Sequence, residues 1–271
     1  MPDIFNLQEV GFGYMPNKHA LTDINLTINE GEILSIIGAN GSGKSTLLHL
    51  LCGLIHPTHG SLFYKGDKIV ESAFKNADFN RKFRSSIGFV FQNSDAQLFC
   101  PTVMDELLFG PLQLGYSKDQ ALSRANEIAT MLYISELKDR PTYMLSGGEK
   151  KRVAIGSVLT PNPDILIFDE PMSGLDPKTR AFIIELIFQL NQAGKTIIIA
   201  THHLEVVDHF QSRVVVLSEK HTIEKVGTSE EILSDIDLLI KANLVSEYPH
   251  KHNGTVHKHH FSNYLFHQHK H

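Results

Sequence analysis

The stretch Gly38-Ala39-Asn40-Gly41-Ser42-Gly43-Lys44-Ser45 constrains this chain more than any other. It follows a continuous apolar run, ILSIIG (33–38), that predicts a buried strand. It leads into STLLHLLCGL (45–54), which predicts a helix stopped near Gly53. A G-x-x-x-x-G-K-S pattern held between a strand and a helix reads as a phosphate-binding loop, whereas the same glycines elsewhere would be only a turn. Without Cβ atoms in the way, the backbone N–H groups can wrap the α/β-phosphates of a nucleotide. Lys44 is then expected to reach the β/γ-phosphates, and the Ser45 hydroxyl to hold Mg²⁺, a hard ion that prefers oxygen. Thr46 completes the set.

The rest of the chain supplies the sheet such a loop needs. Residues 4–36 alternate apolar and polar positions between Gly turns, as half-buried strands do. Residues 58–70 predict a short hairpin region. SIGFVF within 84–92, DILIFDE (164–170) and TIIIATHH (196–203) predict buried strands, and RVVVLS (213–218) a last one. Helices are predicted over most of 102–160, over 178–192 and over about 229–243. Buried strands alternating with helices indicate an α/β fold with a largely parallel sheet covered on both faces. The stretch 102–160 interrupts that alternation and predicts a helical subdomain, inserted at about 95–160 into a domain spanning 4–246. From 247 to 271 the chain is polar, His-rich and without period, predicting a mobile tail.

Composition narrows the classes. A chain of 271 residues, 42% hydrophobic and 20% charged, can bury a real core as one large or two modest domains. A net charge of −5 argues against a general nucleic-acid binder. No apolar run approaches the ~18 residues of a membrane span, and MPDIFNLQEV has neither a basic start nor an apolar core, so no signal peptide is expected. Two cysteines, Cys52 and Cys100, give no disulfide framework, which suits a reducing cytosol.

Three further motifs carry chemistry. LSGGE (145–149) is followed by Lys150, Lys151 and Arg152. Gly147 and Gly148 let a backbone approach a charged ligand closely, and a helix start attracts phosphate. Ser146 and Glu149 equally fit the S-x-x-E capping box. The motif is therefore a capped helix start, half of a site completed by a second molecule, or both. Asp169 ends the apolar strand ILIF at the sheet edge where α/β ligands bind, and fits the role of holding Mg²⁺ through water. Glu170 follows as the candidate general base. His202 ends the next strand and suits hydrogen bonding to a γ-phosphate and orienting the water; a strand-end histidine is also commonly structural. His203 alternates to the opposite face.

The phosphate loop, LSGGE, ILIFDE and TH in this order and spacing resemble the ATPase subunits of ABC transporters over about residues 4–233. The resemblance implies a P-loop NTPase fold: a RecA-like core with a mainly parallel sheet, an antiparallel β subdomain and an inserted α-helical subdomain. It implies hydrolysis of ATP with Mg²⁺. Tyr14, in FGYMP, corresponds to the residue that stacks on adenine. Gln92, in VFQN, corresponds to the glutamine that senses Mg²⁺ and the membrane partner. Residues 173–176 (SGLD) correspond to the loop that crosses the dimer interface. Ser146, Gly147 and Gly148 would contact the γ-phosphate of ATP held by the other subunit, with two ATPs sandwiched between head-to-tail chains.

A second layer of resemblance is narrower. FQNSDAQLFCPTVMDELLFGPLQLG (91–115) closely resembles energy-coupling-factor transporters, and LSGGEKKRVAIG agrees with that group. Departures are Ser94, Ala96 and Met172; Ala96 removes a carboxylate from the region that grips the transmembrane coupling subunit. With every catalytic position intact in one chain, a homodimer would have two competent sites, as in the metal-ion systems of the group. The partners implied are a copy of the chain, a transmembrane coupling subunit and a substrate-binding membrane subunit, and not nucleic acid. The place implied is peripheral, at the cytoplasmic face of the cell membrane.

Of the sixteen histidines, eight lie in the last stretch: His250, His252, His257, His259, His260, His267, His269 and His271. Their H-x-H and HH spacings suit Ni²⁺ or Co²⁺. A neutral polar tail is the plain alternative. Similar importers of cobalt or nickel often end in His-rich segments, which turns the expected substrate toward those ions. The rivals are an energy-coupling-factor importer of a vitamin or another substrate, a soluble non-transport ABC ATPase, and a metal store with a degenerate ATPase domain.

Overall fold

Alternation from Asp3 onward builds the first sheet. The computed structural model describes residues 2–16, 18–252 and 255–261, with backbone alone for 246–252 and 255–261. Its chain divides into two units, Met1–Ile69 with Ala200–His271, and Val70–Ile199. The first unit starts with β1 (Asp3–Met15), β2 (Lys18–Asn29), β3 (Ile33–Gly38), α1 (Lys44–Leu51), β4 (His59–Tyr64) and the short β5 (Asp67–Lys68). An antiparallel sheet runs β2-β1-β4-β5. Ile4, Phe5, Leu7 and Val10 of β1 are buried; each large apolar side chain removed from water in this way contributes about 1.5–3 kcal/mol. The β1–β2 register slips between Leu7 and Val10, where Glu9 has φ 50° and its N–H donates to Asn25 Oδ1 at 2.9 Å. A bulge of this kind turns the strand.

The second unit contains α2 (Ala77–Ser86), β6 (Ile87–Val90), α3 (Ser94–Gln97), α4 (Val103–Gln113), α5 (Lys118–Met131), α6 (Gly147–Leu159), β7 (Ile165–Asp169), α7 (Pro177–Gln192) and β8 (Thr196–Ala200). β7 lies between β8 and β6, and pairs with β6 in parallel. α4, α5 and α6 are the predicted helical insertion. They pack closely because Gly156 of α6 lets Leu107 and Leu132 approach: a Cβ there would lie 2.9 and 3.0 Å from their methyls. α2 was not foreseen in the sequence. Its start is set by Asn76, whose side chain accepts from the amides of Asp78 and Phe79.

The first unit resumes with α8 (Leu204–Phe210), β9 (Arg213–Leu217), β10 (Ile223–Thr228), α9 (Ser229–Leu233), α10 (Ile236–Lys241), β11 (Ser246–His252) and β12 (Thr255–Phe261). β3 and β9 are parallel. Their inner face packs Ile37, Val214 and Val216 against Leu204, Val207, Ile232 and Leu239. Two expectations change here. β9 is not the last strand, since β10 pairs with it antiparallel. The helix expected over 229–243 is two helices. Asp235 ends the first and caps the second, accepting from Leu238 N at 3.1 Å while holding Lys225 Nζ at 2.8 Å. Further on, β11 and β12 pair antiparallel. Asn253-Gly254, the dipeptide most favoured in two-residue hairpin loops, lies between them in sequence.

Candidate nucleotide and coupling residues

In the first unit, the loop between β3 and α1 is closed by glycine. Gly43 precedes α1 with φ 107°, and a Cβ on it would lie 2.3 Å from the Ala20 carbonyl oxygen. Gly41 has φ 83°. Lys44 Nζ folds back onto the loop, donating to the carbonyls of Gly38 at 2.9 Å and Ala39 at 3.1 Å. Ser42 Oγ is buried with no hydrogen-bond partner among the described residues, an orphan of the kind a bound polar group satisfies. Ser45 and Thr46 lie in the first turn of α1, and the Thr46 Oγ1 is 3.3 Å from the Tyr14 hydroxyl. Tyr14 stands 59% exposed, its ring in a T-shaped pair with that of Phe12. Asn40 is exposed and Ala39 buried. His202 is exposed just after β8, its ring 4.3 Å from that of His203, whose Nδ1 lies 3.3 Å from Glu205 Oε1.

The second unit carries Gln92, Ser146, Gly147, Gly148, Asp169 and Glu170. Asp169 and Glu170 are both buried at the end of β7. Glu170 has φ 44°, a left-handed conformation uncommon for a residue with a side chain and recurrent at functional sites. Gln92 is exposed, beyond β6. Ser146 caps α6 in full: its Oγ accepts from Glu149 N at 3.4 Å, and Glu149 Oε2 accepts from Ser146 N at 2.8 Å and Oγ at 2.7 Å. Those two hydrogen bonds from Ser146 hold the Glu149 carboxyl below its ordinary range. Asp176 caps α7 with its own carboxylate, accepting from Thr179 N at 3.0 Å and Oγ1 at 2.6 Å. A Cβ on Gly148 would meet Thr179 Oγ1 at 3.0 Å, whereas one on Gly147 would meet open space. The LSGG turn and the 173–176 loop therefore line one cavity of about 840 Å³, with Tyr133 and Phe182 on its wall.

Lys151 was only part of a basic run in the sequence, and it proves to be 2% exposed. Burial pushes its ammonium down to about 8, against the opposing pull of the Asp169 carboxylate. The missed signal was helical spacing: position 151 falls in the 151–155–159 stripe with Ile155 and Leu159, both buried. His221 was also missed. It turns from β9 to β10 with φ 64°, and its Nδ1 lies 3.4 Å from the Ser42 carbonyl oxygen. A groove of about 330 Å³ opens among Phe91, Ala96, Gln97, Phe99 and Phe109, with Phe99 65% exposed. Among the tail histidines, His250 and His252 lie on β11, and His257, His259 and His260 on β12, where only backbone is described; His267, His269 and His271 lie outside the described residues.

Comparison with known proteins agrees with these motifs. Residues 21–173 match the family model described as ABC transporter. The chain is 41% identical to the nickel import ATP-binding protein NikO of Rhodobacter capsulatus, over 90% of this chain and 97% of that one. It is 39% identical to the energy-coupling factor transporter ATP-binding protein EcfA of Methanococcus maripaludis, over 89% and 85%. Its structure is similar to that of CbiO1 from Clostridium perfringens, part of the ABC transporter complex CbiONQ. That match has a TM-score of 0.76 and 36% identity, covering 90% of this chain and 96% of that one.

Proposed function

The chain belongs to the ABC transporter family of ATP-hydrolysing subunits, and from that premise we propose that it powers an energy-coupling-factor membrane importer of cobalt or nickel ions. The observation that carries the proposal is the match, over nine tenths of the chain, to ATPases of energy-coupling-factor transport and nickel import. Eight histidines within the last 22 residues support the same ions.

ATP is the substrate, held through Tyr14 at the base and by residues 38–46 at the phosphates. Lys44 exchanges the two loop carbonyls that now hold it for phosphate oxygens. The candidate donors for Mg²⁺ are a hydroxyl (Ser45), a carboxylate (Asp169) and an amide oxygen (Gln92), an all-oxygen set that fits this hard ion. Bound there, Mg²⁺ offsets charge on the reacting phosphates. Glu170 takes the proton of the attacking water and His202 orients it. Ser146, Gly147 and Gly148 of a second copy contact the γ-phosphate, which makes the working form a head-to-tail homodimer. Glu170→Gln is expected to bind ATP and to lose turnover, trapping that dimer; a variant hydrolysing ATP at the parent rate would remove Glu170 as the base.

The apolar groove at Phe91, Phe99 and Phe109 receives a transmembrane coupling subunit, and a substrate-binding membrane subunit selects the ion. The ATPase then works peripherally at the cytoplasmic face. Ala96 lines this groove, so the contact there rests on shape and apolar area in place of a carboxylate. The tail histidines bind Ni²⁺ or Co²⁺ as a local reservoir, tested by metal titration of the full chain against one ending at Ser246; equal uptake by the two would end that part. The whole proposal is tested by purifying the chain with a transmembrane coupling subunit and a substrate-binding membrane subunit from the same organism and measuring uptake of radioactive cobalt and nickel into vesicles. ATP-dependent uptake of either ion is expected. Uptake of neither, with transport of a vitamin instead, would overturn the ion assignment.

A further inference from the structure

One buried ammonium joins three motifs of the unit Val70–Ile199. Lys151 projects from α6, three residues past the LSGG turn. Its Nζ donates to the carbonyl oxygens of Phe91 at 3.0 Å and Gln92 at 2.9 Å, and the Asp169 carboxylate supports its charge. An ammonium has three N–H donors and accepts nothing, so a buried one must find this many oxygens. The tie is repeated on both sides. Gln97 Oε1 accepts from Phe91 N at 3.0 Å while its Nε2 donates to the Ala154 carbonyl of α6 at 2.8 Å. Lys150 of α6 pairs with Asp95 at 2.5 Å. Burial of an unneeded cation is a poor way to stabilise a fold, since an apolar residue of the same volume often does as well or better.

We propose that Lys151 is a positioning residue. It fastens the backbone of Phe91 and Gln92 to the LSGG helix, so that Gln92 and the LSGG turn shift as one piece when nucleotide or a membrane partner moves either. Lys151 touches no substrate in this scheme; it acts through Gln92. The proposal rests on the reading that Gln92 takes part in the ATP cycle, and it deepens that reading by naming what sets the glutamine's place.

The test uses Lys151→Met, which keeps the stem and removes the donors, and Lys151→Gln, which restores one donor group, each in the full chain. Amide hydrogen exchange over residues 89–97 is read without nucleotide. ATP hydrolysis is read across ATP and Mg²⁺ concentrations. Lys151→Met is expected to speed exchange in 89–97, to lower kcat roughly tenfold to hundredfold as a misplaced group does, and to leave KM for ATP within about twofold of the parent. The Mg²⁺ concentration for half-maximal activity should rise, and Lys151→Gln should fall between. A folded Lys151→Met with parent exchange and parent kcat overturns the proposal. Faster exchange with unchanged kcat and Mg²⁺ dependence also overturns it, leaving a merely structural tie. If Lys151→Met does not fold, the same readings on Lys151→Gln decide. A parent chain without ATPase activity would instead overturn the functional reading, and the exchange arm would still decide the tie.

Discussion

Two helices of this chain begin at glycine-rich turns, and the two starts are finished in opposite ways. α1 begins after Gly43 with no side-chain cap and no acidic residue in its first turn among the described residues. α6 begins after Ser146 with a closed capping box and Glu149 in its first turn. The first has no side chain bonded across its start, and its lysine is held by loop carbonyls that a phosphate can replace. The second has already satisfied its Ser146 and Glu149 amides from within the chain. A ligand brought to α6 therefore meets the exposed backbone at Gly147 and not a vacant cap. A self-capped start keeps its shape while no ligand is present, which suits a surface that waits for a nucleotide carried by another copy.

The largest expected effect breaks the open start. Gly43→Ala puts a Cβ 2.3 Å from the Ala20 carbonyl oxygen at φ 107°. Strained backbone alone costs about 1–3 kcal/mol, and the clash forces the loop to move as well. ATP binding, measured by fluorescence of a labelled nucleotide, should be lost; unchanged affinity would mean that the loop is not the phosphate site.

The next effect separates folding from function at the closed start. Gly147→Ala meets open space and replaces a helix glycine, a change that is neutral or stabilising by up to about 1 kcal/mol. The chain should melt no lower than the parent and bind ATP as well. Hydrolysis should nonetheless fall by about tenfold or more, because in the proposed homodimer the added methyl would occupy the face offered to the second copy's phosphates, where a lost hydrogen bond costs at least that factor. Gly148→Ala is the contrasting variant: its Cβ presses on Thr179 at 3.0 Å, and through it on the Asp176 cap of α7, so it should lower stability along with activity. Parent-rate hydrolysis by a folded Gly147→Ala would sink the idea of a shared site.

How much of this was legible from the residues follows the same division. The phosphate loop, the strand carrying Asp169 and the capping of α6 are local: each is written in adjacent residues as an apolar run, a glycine spacing or an S-x-x-E. The core strands followed from continuous apolar runs, and the helical insertion from the break it makes in the alternation of strands and helices. What was missed depends on residues far apart in sequence. Lys151 was given no role of its own because its partners, the carbonyls of Phe91 and Gln92, lie some sixty positions away. β10 was missed because IEKVGT is only partly buried and lacks the apolar run of a central strand. The single helix drawn over 229–243 failed on Asp235, whose preference for a cap overrode the propensity of its neighbours.

A smaller effect probes the cap itself. Ser146→Ala removes the acceptor for Glu149 N and frees the Glu149 carboxylate from Oγ. Loss of a serine cap costs about 0.5–2 kcal/mol, which a denaturant titration of the full chain resolves. The equivalent change has no counterpart at α1, where position 43 offers no side chain.

The smallest expected effect is a pH dependence confined to the closed start. The hydrogen bonds from Ser146 lower the Glu149 carboxyl below its ordinary 4.5, so the folded state favours the charged form. A group lowered on folding contributes stability that is fully present above its unfolded value and is lost as pH falls through the folded one. Glu149→Gln keeps a side chain able to complete the capping box and removes the charge. The parent should therefore exceed this variant in melting temperature at neutral pH, by a small margin, because the carboxylate also faces the positive end of α6. The margin should close as pH drops below 4.5 and the parent carboxyl protonates. α1, with no acidic residue in its first turn, contributes nothing to that slope. A margin that persists or widens in acid would mean that Glu149 works through packing, and that charge is not what distinguishes the two helix starts.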